Sequence, residues 1–459
     1  MTGKAFLPLF YLLVLFACAS CATSYMTINY NETKRGVDSL EIHEGIISQH
    51  AQKIKYKRNG ERIATIKLSE PVMVAQAEQE EEWGFFQFPS VGLADDGAIV
   101  VGWRMQEDSY REYGKSAQRK MKPMVSFDEG KTWQPQEKEI FTLYKDYYNC
   151  LSDGGTIEEV TPPTKDYRTY RRFPRAVSRK GVYSYYSHDA LPEDLQGVYM
   201  IYRGKDRKGE RFHASIEDPG LLRYAIGNDV AIFWKGNIRE LADQSLVAGV
   251  YPTYYKDENG EVTESSVSFY QSKDRGHTWN VLSRILFKPD GIAEKRGENG
   301  FEEPAFEIGA DSTLVCVIRT GSSSPMYKTI SKDKGHTWSK PEPFTPNGVK
   351  PRLLYLKNGV LVLASGRPGL QLRFSLDGTG QDWTDPIDMI PFIKEDGTFD
   401  VWDVTCGYAG LLDVDKNSFY IVYSDFTTKN DAGEVRKSIW FRKIKVKTKK
   451  IYLNNNVNN

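Results

Sequence analysis

Residues 272–279 read SKDRGHTW and residues 331–338 read SKDKGHTW. SFDEGKTW occupies 126–133, and FSLDGTGQDW at 374–383 is a looser copy with one extra residue. The shared pattern is Ser-x-Asp-x-Gly-x-Thr-Trp, and its chemistry is that of a turn. Ser and Asp side chains accept backbone N–H bonds and fix a tight loop. Gly supplies a backbone conformation with positive φ. Thr and Trp then begin a strand, and the indole buries a large apolar area. A calcium loop would need more carboxylates than the one Asp each copy carries. The motif therefore predicts scaffolding rather than a repeated reaction centre.

The motif also sets the register of a larger repeat. Short runs rich in β-branched and aromatic residues recur between Gly, Asp and Asn turns: AIVVGW (98–103), GVYSYYS (181–187), TLVCVI (313–318), GVLVLAS (359–365) and SFYIVYS (418–424). Such runs are too short for helices and read as strands; IRELADQSL (238–246) is the one modest helical candidate. Units that open on FPSVGLADDGAIVVGW, RRFPRAVSRKGVYSYYS, VAGVYPTYY, EEPAFEIG, KPRLLYLKNG and CGYAGLLDVD follow one another along the chain. Repeats of this length with turn signals throughout predict an all-β fold, a six-bladed β-propeller. Seven blades are possible, because 190–250 is long and does not parse. The run ERIATIKL (61–68) would complete the last blade and close the ring.

Composition narrows the function. The chain has 459 residues, with 61 basic and 61 acidic side chains, so charge gives no ground for a nucleic-acid partner. Aromatics make up 13%, including 27 Tyr, which suits a β fold or a sugar-binding surface. The first 21 residues have one Lys, an apolar run and small residues, the pattern of a secretory signal. Cys18 and Cys21 each sit in a lipobox-like context, Cys18 with Leu three residues before it. The expectation is a bacterial lipoprotein, exported across the inner membrane to the periplasm or cell surface and anchored by lipid at Cys18. Residues 22–60 are polar and read as a lead-in or tether, 61–450 as the propeller, and 451–459 as a frayed tail. Cys150, Cys316 and Cys406 are too few and too widely spaced for a disulfide framework or a metal site and read as buried free thiols. No cofactor or metal is indicated.

The Ser-x-Asp-x-Gly-x-Thr-Trp copies resemble the Asp-boxes (BNR repeats) of the sialidase-like propeller superfamily, over roughly residues 80–445. That resemblance implies a ligand site at the centre of one face, three arginines on a substrate carboxylate, a Tyr nucleophile activated by a Glu, and an Asp as acid/base. GYAGLL (407–412) matches the nucleophile segment and implies Tyr408; EEPAFEIG implies Glu303 as its base; the loop in GWRMQEDSYREYGK implies Asp108 or Glu107 as the acid, with Arg104 beside it. Arg319, Arg367 and Arg373 take inner-strand positions facing a ligand. The chain departs from the pattern at two clamp positions: Gln87 stands where the first arginine is expected and Met326 where the second is. An Arg-x-Pro does occur one unit later, at Arg172.

The first reading is thus an exo-acting glycoside hydrolase that removes a terminal, anionic sugar from a glycan or polysaccharide. A second chemistry on the same propeller is a uronic-acid lyase or hydrolase using His188 as base with Arg172. A third reading is a non-catalytic glycan-binding propeller, since fold alone does not fix function.

Overall fold

The computed structural model describes residues 24–29, 45–94, 96–107, 119–137, 142–145, 149–160, 165–205, 208–230, 237–288, 290–292, 300–321, 324–392 and 404–449. Cys18, Cys21, Asp108 and the 451–459 tail lie outside them. Among the described residues there are strands and short 3-10 turns but no α-helix. They form six sheets, one for each unit delimited in the sequence. The helical candidate at 238–246 is instead a strand, Ile238–Glu240, followed by a turn. Its Ile238 is buried in the third sheet's apolar cluster and pairs with Ala248, so tertiary pairing overrides a weak helical pattern.

The fourth sheet shows the plan most simply: Glu302–Ile308, Leu314–Arg319, Met326–Ser331 and Glu342–Thr345 pair in chain order, all antiparallel. The opening strands of five of the six units then neighbour one another in series: Leu246–Thr253, Glu302–Ile308, Val349–Tyr355, Ala409–Asp415 and Phe85–Ala94. Apolar clusters fill the wedges between adjacent sheets. Phe269 and Phe306 join the third to the fourth, Val317 and Leu363 the fourth to the fifth, Leu372 and Phe419 the fifth to the sixth, and Val422 and Val101 the sixth to the first. A β-bridge from Leu222 to Tyr254 links the second sheet to the third. The fold is a β-propeller.

The run ERIATIKL (Glu61–Leu68) pairs antiparallel with the final strand Ser438–Thr448, Leu68 opposite Ile444, so the two ends of the chain share the sixth sheet. The expected lead-in at 22–60 belongs in part to the same sheet. Gln52–Arg58 pairs with Glu61–Leu68, and its Ile54 and Tyr56 are fully buried. Lysines alternate with these apolar residues on the other face, which is why the stretch reads as polar when alternation is ignored. The described residues of the long segment 190–250 form no sheet of their own. Val198–Arg203 and Gly209–Glu217 extend the third sheet, through a parallel pairing with Thr278–Ile285, and Leu222–Ile226 joins the second.

The repeated turns have the structure their residue types dictate. In the third copy Ser331 Oγ donates to Asp333 Oδ1 at 2.8 Å and accepts from Gly335 N at 2.8 Å. Asp333 also takes the Thr337 N–H at 2.8 Å and the Thr337 hydroxyl at 2.6 Å. The copies at Asp128 and Asp274 repeat the Ser–Asp and Ser–Gly bonds, and the looser copy reproduces them at Ser375, Asp377 and Gly380. Each strict copy places two residues in the left-handed region, for example Lys334 (φ 61°) and Gly335 (φ 92°). The tryptophans then pack inward: Trp338 stacks on Phe269 of the preceding sheet at 4.3 Å, Trp133 meets Phe441 of the sixth sheet at 5.2 Å, and Trp279 has no exposed surface. Of the free cysteines, Cys316 and Cys406 are buried as expected, whereas Cys150 is exposed at a strand end.

Trp279→Ala removes a fully buried indole from a packed wedge. Equilibrium denaturation is expected to show a loss of about 3–5 kcal/mol, while Asp333→Ala lowers Tm through the turn alone.

Candidate functional site

The opening strands carry a recurrent irregularity. In the first, fourth and fifth sheets the ladder register slips at an X-Pro pair: Phe88-Pro89, Glu303-Pro304 and Lys350-Pro351. Proline cannot donate to a ladder, so a bulge is the position where it is tolerated. The residue before each proline is left-handed: Phe88 at φ 51°, Glu303 at 43° and Lys350 at 43°. Arg367, just after Leu361–Gly366, is left-handed as well (φ 49°). Such conformations cost of order 1–3 kcal/mol each in non-glycine residues and persist where function holds them. All four side chains converge on one place.

At its centre the Tyr408 hydroxyl donates to Glu303 Oε1 at 2.7 Å, across 105 residues of sequence. Arg319 Nη1 donates to Glu303 Oε2 at 2.9 Å and to the Tyr408 hydroxyl at 3.3 Å. The Lys350 backbone N–H donates to Glu303 Oε2 at 3.2 Å, and its ammonium lies 3.7 Å from Oε1 and 5.7 Å from the Tyr408 ring centroid. Phe88 meets Tyr408 edge to face at 4.7 Å, and the Arg104 guanidinium sits 5.6 Å over Phe88. Tyr251, from the third sheet, is pushed well above the usual phenol range by burial and by the neighbouring Glu303 carboxylate. Glycine makes the approach possible: a Cβ on Gly366 would fall on the backbone of Gly407, the residue before Tyr408.

The electrostatics follow from this packing. Burial pushes the Glu303 carboxyl up, but Lys350 and Arg319, with hydrogen bonds from Tyr408 and Arg319, outweigh it and hold it at about 2. Burial and the neighbouring Glu303 carboxylate push Tyr408 well above the usual phenol range, against Arg319. Burial pulls Arg367 down, assisted by the nearby positive charge of Arg319. The resting state is therefore a neutral phenol on a carboxylate, surrounded by three cations.

The structure thus brings together Tyr408, Glu303, Arg319 and Arg367, with Arg104 one aromatic ring away. The other expected residues stand differently. Gln87 is fully buried, and its amide has no hydrogen-bond partner among the described residues. Met326 is fully buried in the core between the fourth and fifth sheets. Arg373 is buried and donates to Gln371 Oε1 at 2.9 Å, beside Asp388, as part of the fifth sheet's interior. Arg172 is exposed. Glu107 is buried. His188 is buried with its Nδ1 3.5 Å from Arg223 Nη1; burial and that guanidinium lower it to about 4, so it is neutral near pH 7. Lys350, Phe88, Tyr251 and the Gly366–Gly407 contact were not anticipated. The signal for the first three was present, since each immediately precedes the proline of its unit.

No family model matches the chain, and no curated protein does. Among solved structures it is similar to a protein of unknown function from Dyadobacter fermentans, with a TM-score of 0.53 and 18% identity over 83% of this chain and 99% of that one. It is similar at a lower level to a Hadza microbial sialidase (TM-score 0.41, 13% identity, 79% of this chain and 65% of that one). A Penicillium chrysogenum α-L-arabinanase complexed with arabinobiose follows (TM-score 0.39, 13% identity, 82% and 98%). At 18% identity the likeness to the Dyadobacter protein is one of fold.

A depressed carboxyl gives a signed prediction. Glu303 ionised is favoured by the fold, so its contribution to stability is present above the ordinary value of 4.5 and is lost as pH falls towards about 2. In Lys350→Met, carbon-13 NMR of the labelled side chain is expected to show Glu303 titrating at higher pH, and acid unfolding to begin at higher pH than in the parent chain.

Proposed function

We propose that the chain is a glycoside hydrolase that removes a terminal, anionic sugar from a glycan, with Tyr408 as nucleophile and Glu303 as its base. The observation that carries this reading is the 2.7 Å hydrogen bond from Tyr408 to Glu303, with Arg319 on both groups. A phenol is a weak nucleophile until its proton has somewhere to go, and Glu303 is the acceptor within reach. In the first step Tyr408 passes its proton to Glu303 and its oxygen bonds to the anomeric carbon. The glycosidic C–O bond breaks, and the leaving oxygen takes a proton from an acid, assigned to Asp108. In the second step water attacks the same carbon, Asp108 accepts its proton, the bond from that carbon to the Tyr408 oxygen breaks, and Tyr408 recovers its proton from Glu303. Two displacements at one carbon retain its configuration.

The cations give the substrate a second role. Lys350 and Arg319 hold Glu303 at about 2, which makes it a poor base in the resting site. An anionic sugar that pairs with Lys350, Arg319 or Arg367 offsets that field, and Glu303 becomes more basic only once such a substrate is bound. A neutral sugar gains no such activation.

A panel of chromogenic aryl glycosides bearing sialic, uronic and neutral sugars tests this. The parent chain is expected to release chromophore from an anionic member; Glu303→Gln is expected to lower kcat by about 10²–10⁴-fold, and Tyr408→Phe to abolish turnover. Unchanged turnover in Tyr408→Phe would sink the assignment.

A further inference from the structure

A pocket of about 460 Å³ opens on the same face as Tyr408, between the segment preceding the first sheet and the loop joining the last two strands of the sixth. Its walls are Trp83 and Phe426, their rings edge to face at 6.2 Å, and its rim carries Glu80, Glu81, Arg436 and Lys437. The pocket adjoins the reacting centre through one side chain. Arg367 sits 5.6 Å over the Trp83 ring on one side, and on the other its backbone packs against Gly407, the residue before Tyr408.

The walls are held in place. Phe426 N–H donates to Val404 O at 2.9 Å, and the Lys437 ammonium lies 4.7 Å over the Phe426 ring while donating to Glu82 O at 2.6 Å. Glu81 is fixed by an ion pair with Arg119, itself stacked on Phe85 at 4.1 Å. An aromatic wall ringed by fixed charges of both signs selects its ligand by chemistry. A lipid chain would leave two carboxylates and two cations facing apolar surface. A simple anion would meet Glu80 and Glu81. A pyranose ring offers a C–H face for the indole and hydroxyls that both donate to carboxylates and accept from ammonium and guanidinium groups.

We propose that the Trp83–Phe426 pocket is a second sugar subsite, which holds the ring next to the one at Tyr408 and makes the chain a reader of oligosaccharides rather than of single terminal sugars. The proposal rests on the reading of the Tyr408 centre as a glycan site. Because the walls are preorganised, the gain from a second ring is not spent on ordering the pocket.

The test uses the full chain carrying Tyr408→Phe, which retains glycans without turnover, on a printed array of mono-, di- and trisaccharides with sialic, uronic and neutral termini. Di- and trisaccharides are expected to be retained more strongly than the matching monosaccharide. Trp83→Ala in that background is expected to weaken their retention about tenfold, roughly the loss of one stacking contact, with monosaccharide retention changed less than twofold. Trp83→Phe, which keeps a stacking face and the contact with Arg367, is expected to restore most of it. Equal loss for mono- and oligosaccharides, no loss on Trp83→Ala, or no retention of any oligosaccharide overturns the subsite. Failure of the catalytic reading is seen separately, as absence of product from the unsubstituted chain, and leaves a differential loss on the array intact.

Discussion

A carboxylate buried among three sheets is the constraint on which the centre of this molecule depends. Glu303 is only 8% exposed, and an isolated ionised carboxyl at such a depth is costly enough that it would neutralise instead. It stays charged because donors reach it from three elements: Arg319 from its own sheet, the Lys350 backbone and ammonium from the fifth, and the Tyr408 hydroxyl from the entry to the sixth. Arg319 comes from the neighbouring strand of the same sheet, but Lys350 and Tyr408 lie 47 and 105 residues away, so the charge is fully satisfied only when the fourth, fifth and sixth sheets pack together. Removing one partner leaves the rest of the buried charge uncompensated, which is more damaging than replacing the whole group. The left-handed bulges at Glu303 and Lys350 belong to the same arrangement, since a regular ladder would not bring both groups together.

The rim of the ring is closed by buried polar groups of the same kind. Arg442, with no exposed surface, donates to the carbonyls of Ser69, Ser48 and His50. Asp388, equally buried, accepts from Gly45 N and from Gln371, which in turn takes a bond from Arg373. These bonds fasten residues 45–52 to the fifth and sixth sheets, and the strand Gln52–Arg58 continues from that clamp into the last sheet. The cations of the fifth and sixth sheets therefore divide by role. Arg373 and Arg442 satisfy backbone and side-chain acceptors in the interior, whereas Arg367 lies between the Tyr408 centre and the Trp83 ring.

The architecture was legible in the sequence because it is written in local terms. Turn chemistry at Asp128, Asp274 and Asp333, short alternating runs and a fixed order within each unit define six sheets, and alternation in ERIATIKL marks the strand that joins the chain's ends. Alternation in QKIKYKR carried the same signal, hidden by its lysines. The centre was legible in part. Tyr408, Glu303 and Arg319 stand on recognisable segments, but Lys350 lies on a strand whose resemblance to Glu303-Pro304 is a single X-Pro step. What placed it at the site is a backbone conformation, φ 43° before a proline, that composition does not announce. Arg373 shows the opposite failure: in sequence it groups with Arg319 and Arg367, yet it lies on a strand buried throughout and donates to Gln371 within the fifth sheet.

The replacements at the centre bear on how it recognises charge. An arginine triad grips a carboxylate through planar forks that fix both distance and orientation. Here the position expected for the first fork is a buried amide, Gln87, and that for the second is core, Met326. The positive charge comes instead from Arg319, already committed to Glu303 and Tyr408, from Arg367, partly shared with Trp83, and from Lys350, a compact ammonium on a flexible stem. A point charge attracts an anion without dictating its plane. On the proposed reading such a centre supplies field rather than orientation, and the orientation of a bound sugar would fall to surfaces that meet the rest of the glycan. Trp83 and Phe426 form an aromatic surface joined to it by a shared cation, Arg367.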